Sequence, residues 1–488
     1  MTHALAPLPG AVRTVPPARA VLRSPALPVV AVLAVLGLPP APGGDGGAGP
    51  ADAVSAAVVL YCAVRLLRER RRPLSPTAAV VLGLPVAGLA VAAVGASSPG
   101  AAFAGLGRYL QVFVLVPAAV LLLVRDRAGF RLLAWSFVGL ALWQGAVGTH
   151  QYLTGTGASY QGEDIRAVGT FGPTDVMGMA TVVALGLVCA VGLALGHSPL
   201  RWRLAAAGCA VALLAPLALS FSRGAWIATA VTCAAQLLLA GVRRALTVFA
   251  ALTAAVLLLV GGVGAGTAML QQRIDSITRV TDAPDQSVVD RYTLWAAATA
   301  VWREHPLTGV GLKNFPEYRD GHASLALSSG SDTEGAGAAF RRQPLLSPHN
   351  MYLLVLSEQG LLGLLALGGS WLALLVCALR ESARARRTSR ADVGTGDGGG
   401  HGDGRGGDGR DGGGCRPDRG VDCGLVACGL LLWQLTDFVY GDVGGPSTVL
   451  TGVSLGLVAW WALAGGTART DGTGRDVDVP GAEGAVAR

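Results

Sequence analysis

The chain has 488 residues, 52% of them hydrophobic and only 14% charged, with a mean hydropathy of +0.51. Soluble globular chains carry about 25% charged residues, so this one has too few to clothe a water-facing surface. A soluble enzyme, a secreted disulfide scaffold and a disordered protein are excluded, and the formal net charge of +7 matters for where it lies along the chain, not as a sign of nucleic-acid binding.

In chain order, residues 1–25 are rich in Pro and Ala, carry Arg13, Arg19 and Arg23, and are expected to be a disordered cytoplasmic lead. The apolar stretch 26–39 is followed by no small-x-small cleavage site and is predicted as an uncleaved first span. Further apolar runs lie at 51–66, 76–95, 108–124, 131–149, 174–195, 203–221, 225–241 and 245–266, then at 349–379, 421–439 and 447–465. Most approach the roughly 20 residues that cross a bilayer as helix. The expectation is an all-α polytopic membrane protein of twelve helices, with helices one to nine in 26–266, helix ten in 349–379 and helices eleven and twelve in 421–465.

The arginines orient it. Clusters at Arg65/Arg68/Arg70/Arg71/Arg72, Arg125/Arg127/Arg131, Arg201/Arg203, Arg243/Arg244 and Arg380/Arg384/Arg386/Arg387/Arg390 each follow an even-numbered span. The intervening loops 39–50, 96–107, 150–173 and 440–446 carry almost no positive charge. By the positive-inside rule both termini, including the tail 466–488, are expected in the cytoplasm and the protein in the cytoplasmic membrane. Residues 380–420 are expected to be a disordered cytoplasmic loop, since 391–420 alone contains 14 glycines among Asp and Arg. His401 and Cys415 in it read as linker residues. The eight cysteines show no disulfide or zinc spacing and are read as packing residues.

The polar stretch 267–348 is expected to be an external helical cap between helices nine and ten. Ser287-Val-Val-Asp290 resembles a capping-box start, Tyr292, Trp295, Ala298 and Trp302 follow at helical spacing, and Pro306 ends the pattern.

Three polar groups fall where the bilayer meets the external face. Arg223, in the turn Ser220-Phe-Ser-Arg-Gly-Ala-Trp226 between spans seven and eight, either faces a ligand or snorkels at a helix end. Arg291 lies at the start of the cap helix, where a solvated arginine is the plain alternative. His305, just before Pro306, reads as a helix stop. In Ser347-Pro-His-Asn-Met-Tyr352, Ser347 is predicted as N-cap and Pro348 as the first helical residue. His349 then falls in the first turn, where the helix dipole favours the neutral imidazole that a general base needs; the alternative is an interfacial histidine bonded to a loop carbonyl. Glu358, deeper in the same apolar run, is an intramembrane carboxylate and hence a functional or partnered group.

The turn SFSRGAW, the segment RYTLWAAATAVWREHPLTGVGLKNF and the helix SPHNMYLLVLSEQGLLGLL occur in the order and spacing of the O-antigen ligase/polymerase superfamily, which this sequence resembles over roughly residues 150–380 by motif and throughout by topology. The resemblance implies a membrane-embedded glycosyltransferase that moves a glycan from an undecaprenyl-pyrophosphate carrier to an acceptor hydroxyl on a glycan, lipid or protein outside the cytoplasmic membrane. It implies that Arg223 and Arg291 bind the pyrophosphate and that His349 activates the acceptor, with Asn350, Arg166 and Glu358 as substrate-binding candidates. At Arg166-Ala-Val-Gly-Thr-Phe-Gly-Pro-Thr-Asp175 the chain has Thr174-Asp175 where relatives often have Asn after Pro, which puts the role of Arg166 in doubt.

Pyrophosphate as leaving group needs charge neutralisation more than an acid, and arginine supplies it bidentately. No Asp-x-Asp pair accompanies these motifs, so no metal and no cofactor is expected, and direct displacement would invert the anomeric centre. A polymerase of lipid-linked repeat units and a non-enzymatic transporter or flippase remain as alternatives; against the latter, no two-half repeat is visible.

Overall fold

The computed structural model describes residues 24–39, 49–69, 74–159, 165–175, 177–248, 286–328, 331–335, 341–343, 345–394 and 420–464. The expected lead 1–23, most of the ninth run 245–266, the first part of the cap at 267–285, the segment 395–419 with His401 and Cys415, and the tail 466–488 lie outside the described residues.

The elements are α1 Leu27–Val35, α2 Pro50–Glu69, α3 Pro76–Val94, α4 Pro99–Leu123, α5 Arg127–Thr154, α6 Gly178–Leu195, α7 Leu200–Leu219 and α8 Arg223–Ala240. They continue with α9 Gln286–Glu304, α10 Phe315–His322, α11 Met351–Gly394, α12 Val421–Asp437 and α13 Val449–Leu463. Among the described residues nine helices (α2 to α8, α11 and α13) are long and apolar enough to cross a membrane, so the chain is a multi-pass membrane protein. The first run forms a helix of only nine residues, about 13 Å long at 1.5 Å per residue, because Gly37 and Pro39 close it early. At seventeen residues, α12 rises about 25 Å. Helix α4 begins at Pro99, inside the expected 96–107 loop, and α11 runs on to Gly394, so the first part of the expected 380–420 loop is helical.

Helices α6, α12 and α13 form the centre. Every residue of α13 is buried, and α6 packs against α5, α7, α8 and α12. Within apolar surroundings hydrophobicity does not select neighbours, so buried polar side chains act as glue. The Gln236 Nε2 amide donates to the carbonyls of Val188 and Leu425, both at 3.0 Å, tying α8 to α6 and α12. On the arginine-rich side Asp422, fully buried at the start of α12, is paired with Arg127 at 2.8 Å and Arg131 at 2.7 Å from α5.

On the opposite side, α11 is interrupted. Gly360 has φ 63° and ψ −164°, so Met351–Gln359 is a short half-helix followed by the long spanning part. The connection after α9 fills the break. The amides of Val310 and Gly311 donate to the carbonyls of Ser357 and Glu358, both at 2.9 Å, while Leu361 and Leu362 donate to the carbonyls of Pro306 (2.9 Å) and Leu307 (3.1 Å). Gly309 is also left-handed, with φ 65°. A Cβ at Gly360 would lie 2.3 Å from the carbonyl of Leu307, and one at Gly309 would lie 2.4 Å from the carbonyl carbon of Glu358. Four short strands, β1 Ala158–Ser159, β2 Ile165–Arg166, β3 Ser331–Gly335 and β4 Arg341–Gln343, pair antiparallel in the order β2-β1-β3-β4 and join the α5–α6 loop to the cap.

The α9 helix starts at Gln286, so Ser287 lies inside it rather than capping it. Asp290 instead fastens the cap, accepting from Gln286 Nε2 (2.8 Å), Ser328 N (2.8 Å) and Ser328 Oγ (2.6 Å). At the far end His322 of α10 meets Glu304 of α9 at 2.9 Å. That contact holds the His322 imidazole above its ordinary pKa and the Glu304 carboxyl below its own.

Two outcomes are expected. Gly309→Ala and Gly360→Ala should each lower unfolding free energy by about 2 kcal/mol or more, whereas Gly208→Ala, with open space around it on α7, should be neutral or slightly stabilising; thermal unfolding in detergent checks this. The His322 part of the pair is fully present below the ordinary histidine pKa and lost as pH rises through the raised one; the Glu304 part is present above the ordinary carboxylate pKa and lost as pH falls through the lowered one. Imidazole NMR should therefore show His322 titrating above an ordinary histidine, and Glu304→Gln should remove the elevation.

Candidate functional site

The first segment is the turn between α7 and α8. Ser222 caps α8 by accepting from the Ala225 amide at 3.3 Å, Phe221 takes a left-handed φ of 50°, and Ser220 Oγ donates to Leu217 O at 2.6 Å. Arg223 thereby becomes the first residue of α8, with an exposed side chain. A cation there opposes the helix dipole by about 0.3–1 kcal/mol, so local helix energetics do not explain it. The same argument applies more weakly to Arg291, half-buried in the second turn of α9.

The third segment departs from expectation. Helix α11 begins at Met351, and its cap is Asn350: Asn350 Oδ1 accepts from the Leu353 amide at 3.1 Å and its carbonyl from the Leu354 amide at 2.9 Å. Ser347 is not the N-cap; its hydroxyl donates to the Asp442 carboxylate. His349, with φ 49°, lies just before the helix rather than in its first turn, because a left-handed residue cannot continue a right-handed helix. It is half-buried.

These segments meet at the turn between α12 and α13, residues 438–445. The Met351 amide is shared between the carbonyls of Phe438 (2.9 Å) and Gly441 (3.0 Å). Tyr352 donates to Leu435 O at 2.7 Å. Trp295, one turn after Arg291, donates its indole N–H to Pro348 O at 2.9 Å, and its ring centre lies 6.4 Å from that of Tyr440. Tyr440 in turn covers Gly224, where an added Cβ would sit 3.2 Å from Tyr440 Cβ. Asp437, at the end of α12, is close enough to Arg291 and to Asp442 for their charges to interact. The residues next to Arg223, Arg291 and His349 thus touch one connected surface.

The other candidates lie elsewhere. Glu358 is buried at the α11 break, where Oε1 accepts from the Phe315 amide at 3.4 Å and the backbone pairs with Gly311. Arg166 lies in β2, paired with Ala158. Asp175, the departure from the usual Asn, accepts from the Ser447 amide at 3.1 Å and ties the α5–α6 loop to the start of α13; partial burial pushes its carboxyl above the ordinary range against the hydrogen bonds from Ser447 and Gly178. Sequence reasoning missed Asp437, Tyr440 and Asp442, having read 440–446 only as an arginine-poor connection. Two acids and a tyrosine in so short a link between apolar runs were the available signal.

No curated protein matches the chain. Residues 208–368 match the family model described as O-Antigen ligase. The matched segment runs from within α7 into the spanning part of α11 and takes in Arg223, Arg291, His349 and the interrupted helix. Over that segment, about a third of its length, the chain is similar to the O-antigen ligase family.

Proposed function

We propose that this protein is a glycosyltransferase that moves a glycan from an undecaprenyl-pyrophosphate carrier to an acceptor hydroxyl on the outer face of the cytoplasmic membrane, with both termini in the cytoplasm. The family implies a membrane glycosyltransferase of the ligase type. The observation that carries the finer reading is the convergence on the 438–445 turn of two arginine-bearing helix starts and the left-handed His349.

Arg223 and Arg291 would grip the pyrophosphate. Each guanidinium offers a planar fork to phosphate oxygens, and both arginines sit towards helix N-termini, where partial positive charge also favours an anion. His349 would take the acceptor proton. The acceptor oxygen forms its bond to the anomeric carbon as the bond from that carbon to the phosphate oxygen breaks; undecaprenyl pyrophosphate leaves with the electron pair, and the proton passes from the imidazole to water. Charge neutralisation by arginine makes a metal ion unnecessary in this scheme, and a single displacement inverts the anomeric centre. A strained, non-glycine left-handed residue is a reasonable place to look for function, since such strain persists only where the surroundings enforce it. Asn350 would act by fixing the helix start beside His349, and Glu358 by holding the 311–315 segment.

The test follows release of undecaprenyl pyrophosphate by the full chain in nanodiscs, with a lipid-pyrophosphate-linked oligosaccharide, an acceptor and EDTA. His349→Ala should cut turnover about 10²–10⁴-fold with donor binding retained. Arg223→Ala and Arg291→Ala should weaken donor binding by about 1.5–3 kcal/mol each, with lysine restoring only part. A single transfer to acceptor indicates a ligase, and a ladder of lengthened lipid-linked product a polymerase. Turnover unchanged in His349→Ala, or abolished by EDTA, would overturn the corresponding part of the scheme.

A further inference from the structure

Around the two arginines the chain places aromatic rings. Tyr292 follows Arg291 directly and is 63% exposed. Its ring stands edge-on to Trp295, with centres 5.6 Å apart and planes at 79°. Trp295 is half-buried and pinned through its indole N–H to Pro348 O, beside His349. Tyr440, 6.4 Å further on, packs over Gly224, the residue after Arg223. The three rings therefore form a connected row: Tyr292 follows Arg291 in the chain, Tyr440 packs over the residue after Arg223, and Trp295 is bonded to the residue before His349.

We propose that Tyr292, Trp295 and Tyr440 form a sugar-stacking subsite that receives the lipid-proximal sugar of the donor. This rests on the reading of Arg223 and Arg291 as pyrophosphate ligands. The first sugar of the glycan is bonded directly to that pyrophosphate, so only side chains bordering both arginines can touch it. A pyranose ring offers flat C–H faces and a rim of hydroxyls. Aromatic rings with a polar edge suit it, because they give broad contact at low conformational cost and hydrogen bonds at the rim. The interaction made with this non-reacting face is retained as the anomeric bond breaks, so it contributes to positioning for attack. Trp295 has a second duty: its bond to Pro348 couples occupancy of the platform to the segment carrying His349.

The alternative for exposed aromatics at this height is an interfacial anchor, and the experiment separates the two. The full chain in nanodiscs is titrated with undecaprenyl pyrophosphate and, separately, with undecaprenyl pyrophosphate bearing one N-acetylhexosamine. Tyr292→Ala and Tyr440→Ala should each weaken binding of the sugar-bearing lipid about three- to tenfold and leave the bare lipid unchanged, and Tyr440→Phe should retain most of the affinity. Trp295 is left intact because its N–H also fixes Pro348. Equal weakening of both lipids, or of neither, overturns the subsite and leaves the rings as packing or membrane anchors. Arg223→Ala and Arg291→Ala provide the separate arm, since loss of both lipids together supports the pyrophosphate reading. Should these arginine variants bind both lipids normally while the tyrosine variants still distinguish them, the pyrophosphate assignment fails and the sugar subsite stands.

Discussion

Where α11 breaks at Gly360, its freed backbone groups are taken up by the segment 306–311, and this exchange sets the height of α9 against the start of α11. A helix interrupted inside a membrane leaves amides and carbonyls that cost several kcal/mol each, at order of magnitude, if unpaired. Four backbone bonds between Pro306–Gly311 and Ser357–Leu362 remove that cost and fix the register of one segment on the other. Helix α9 ends at Glu304, two residues before this segment, so its height relative to the half-helix Met351–Gln359 is set by the same bonds. Arg291 and Trp295 are thus brought to the level of Pro348 and His349 by a lock that lies well away from them. The tight fit around Gly309 and Gly360 explains why the HPLTGVG and SEQGLLG motifs accompany each other: each supplies the glycine that the other's backbone needs.

Two arginines sit near helix N-termini at the end of the bundle away from Arg127 and Arg131. Arg223 begins α8 and Arg291 lies in the second turn of α9, where the dipole disfavours cations. Asp437 offsets part of that cost for Arg291 by its opposite charge. On the arginine-rich side, by contrast, Arg127 and Arg131 are committed to the buried Asp422, an arrangement that ties α5 to α12. The same residue type serves as a fastener on one face and is presented at a helix start on the other.

Much of this was legible in the sequence because it was written in periodicity and charge. The long apolar runs that lie among the described residues became helices, and the three motif segments stood out as polar groups that lipid would not tolerate without reason. What was not legible depended on backbone conformation. Ser347-Pro348 has the composition of a helix start, yet the left-handed turn at His349 moves the cap to Asn350; no local pattern announces a non-glycine residue with positive φ. Glu358 stands out in the sequence as an odd intramembrane acid, but its place at a helix break follows from pairing with the distant segment 311–315, which single-sequence reading cannot see. The first apolar run misled because hydrophobicity was weighed there and the closing Gly37 and Pro39 were not.

The three non-glycine residues with left-handed backbone among the described residues, Phe221, Lys313 and His349, fall in the turn before Arg223, in the 306–315 connection and just before the start of α11. Conformations of this kind persist only when neighbouring structure holds them: the Phe221 ring lies 6.3 Å from that of Tyr152 on α5, and Met351, two residues after His349, bonds to the turn after α12. The turn that joins the segments hangs between α12, packed on α6 and α8, and α13, buried along its whole length. A site assembled from loops is only as well placed as the elements that carry them. Here the loop at the centre of the convergence is the one suspended from the most buried part of the bundle.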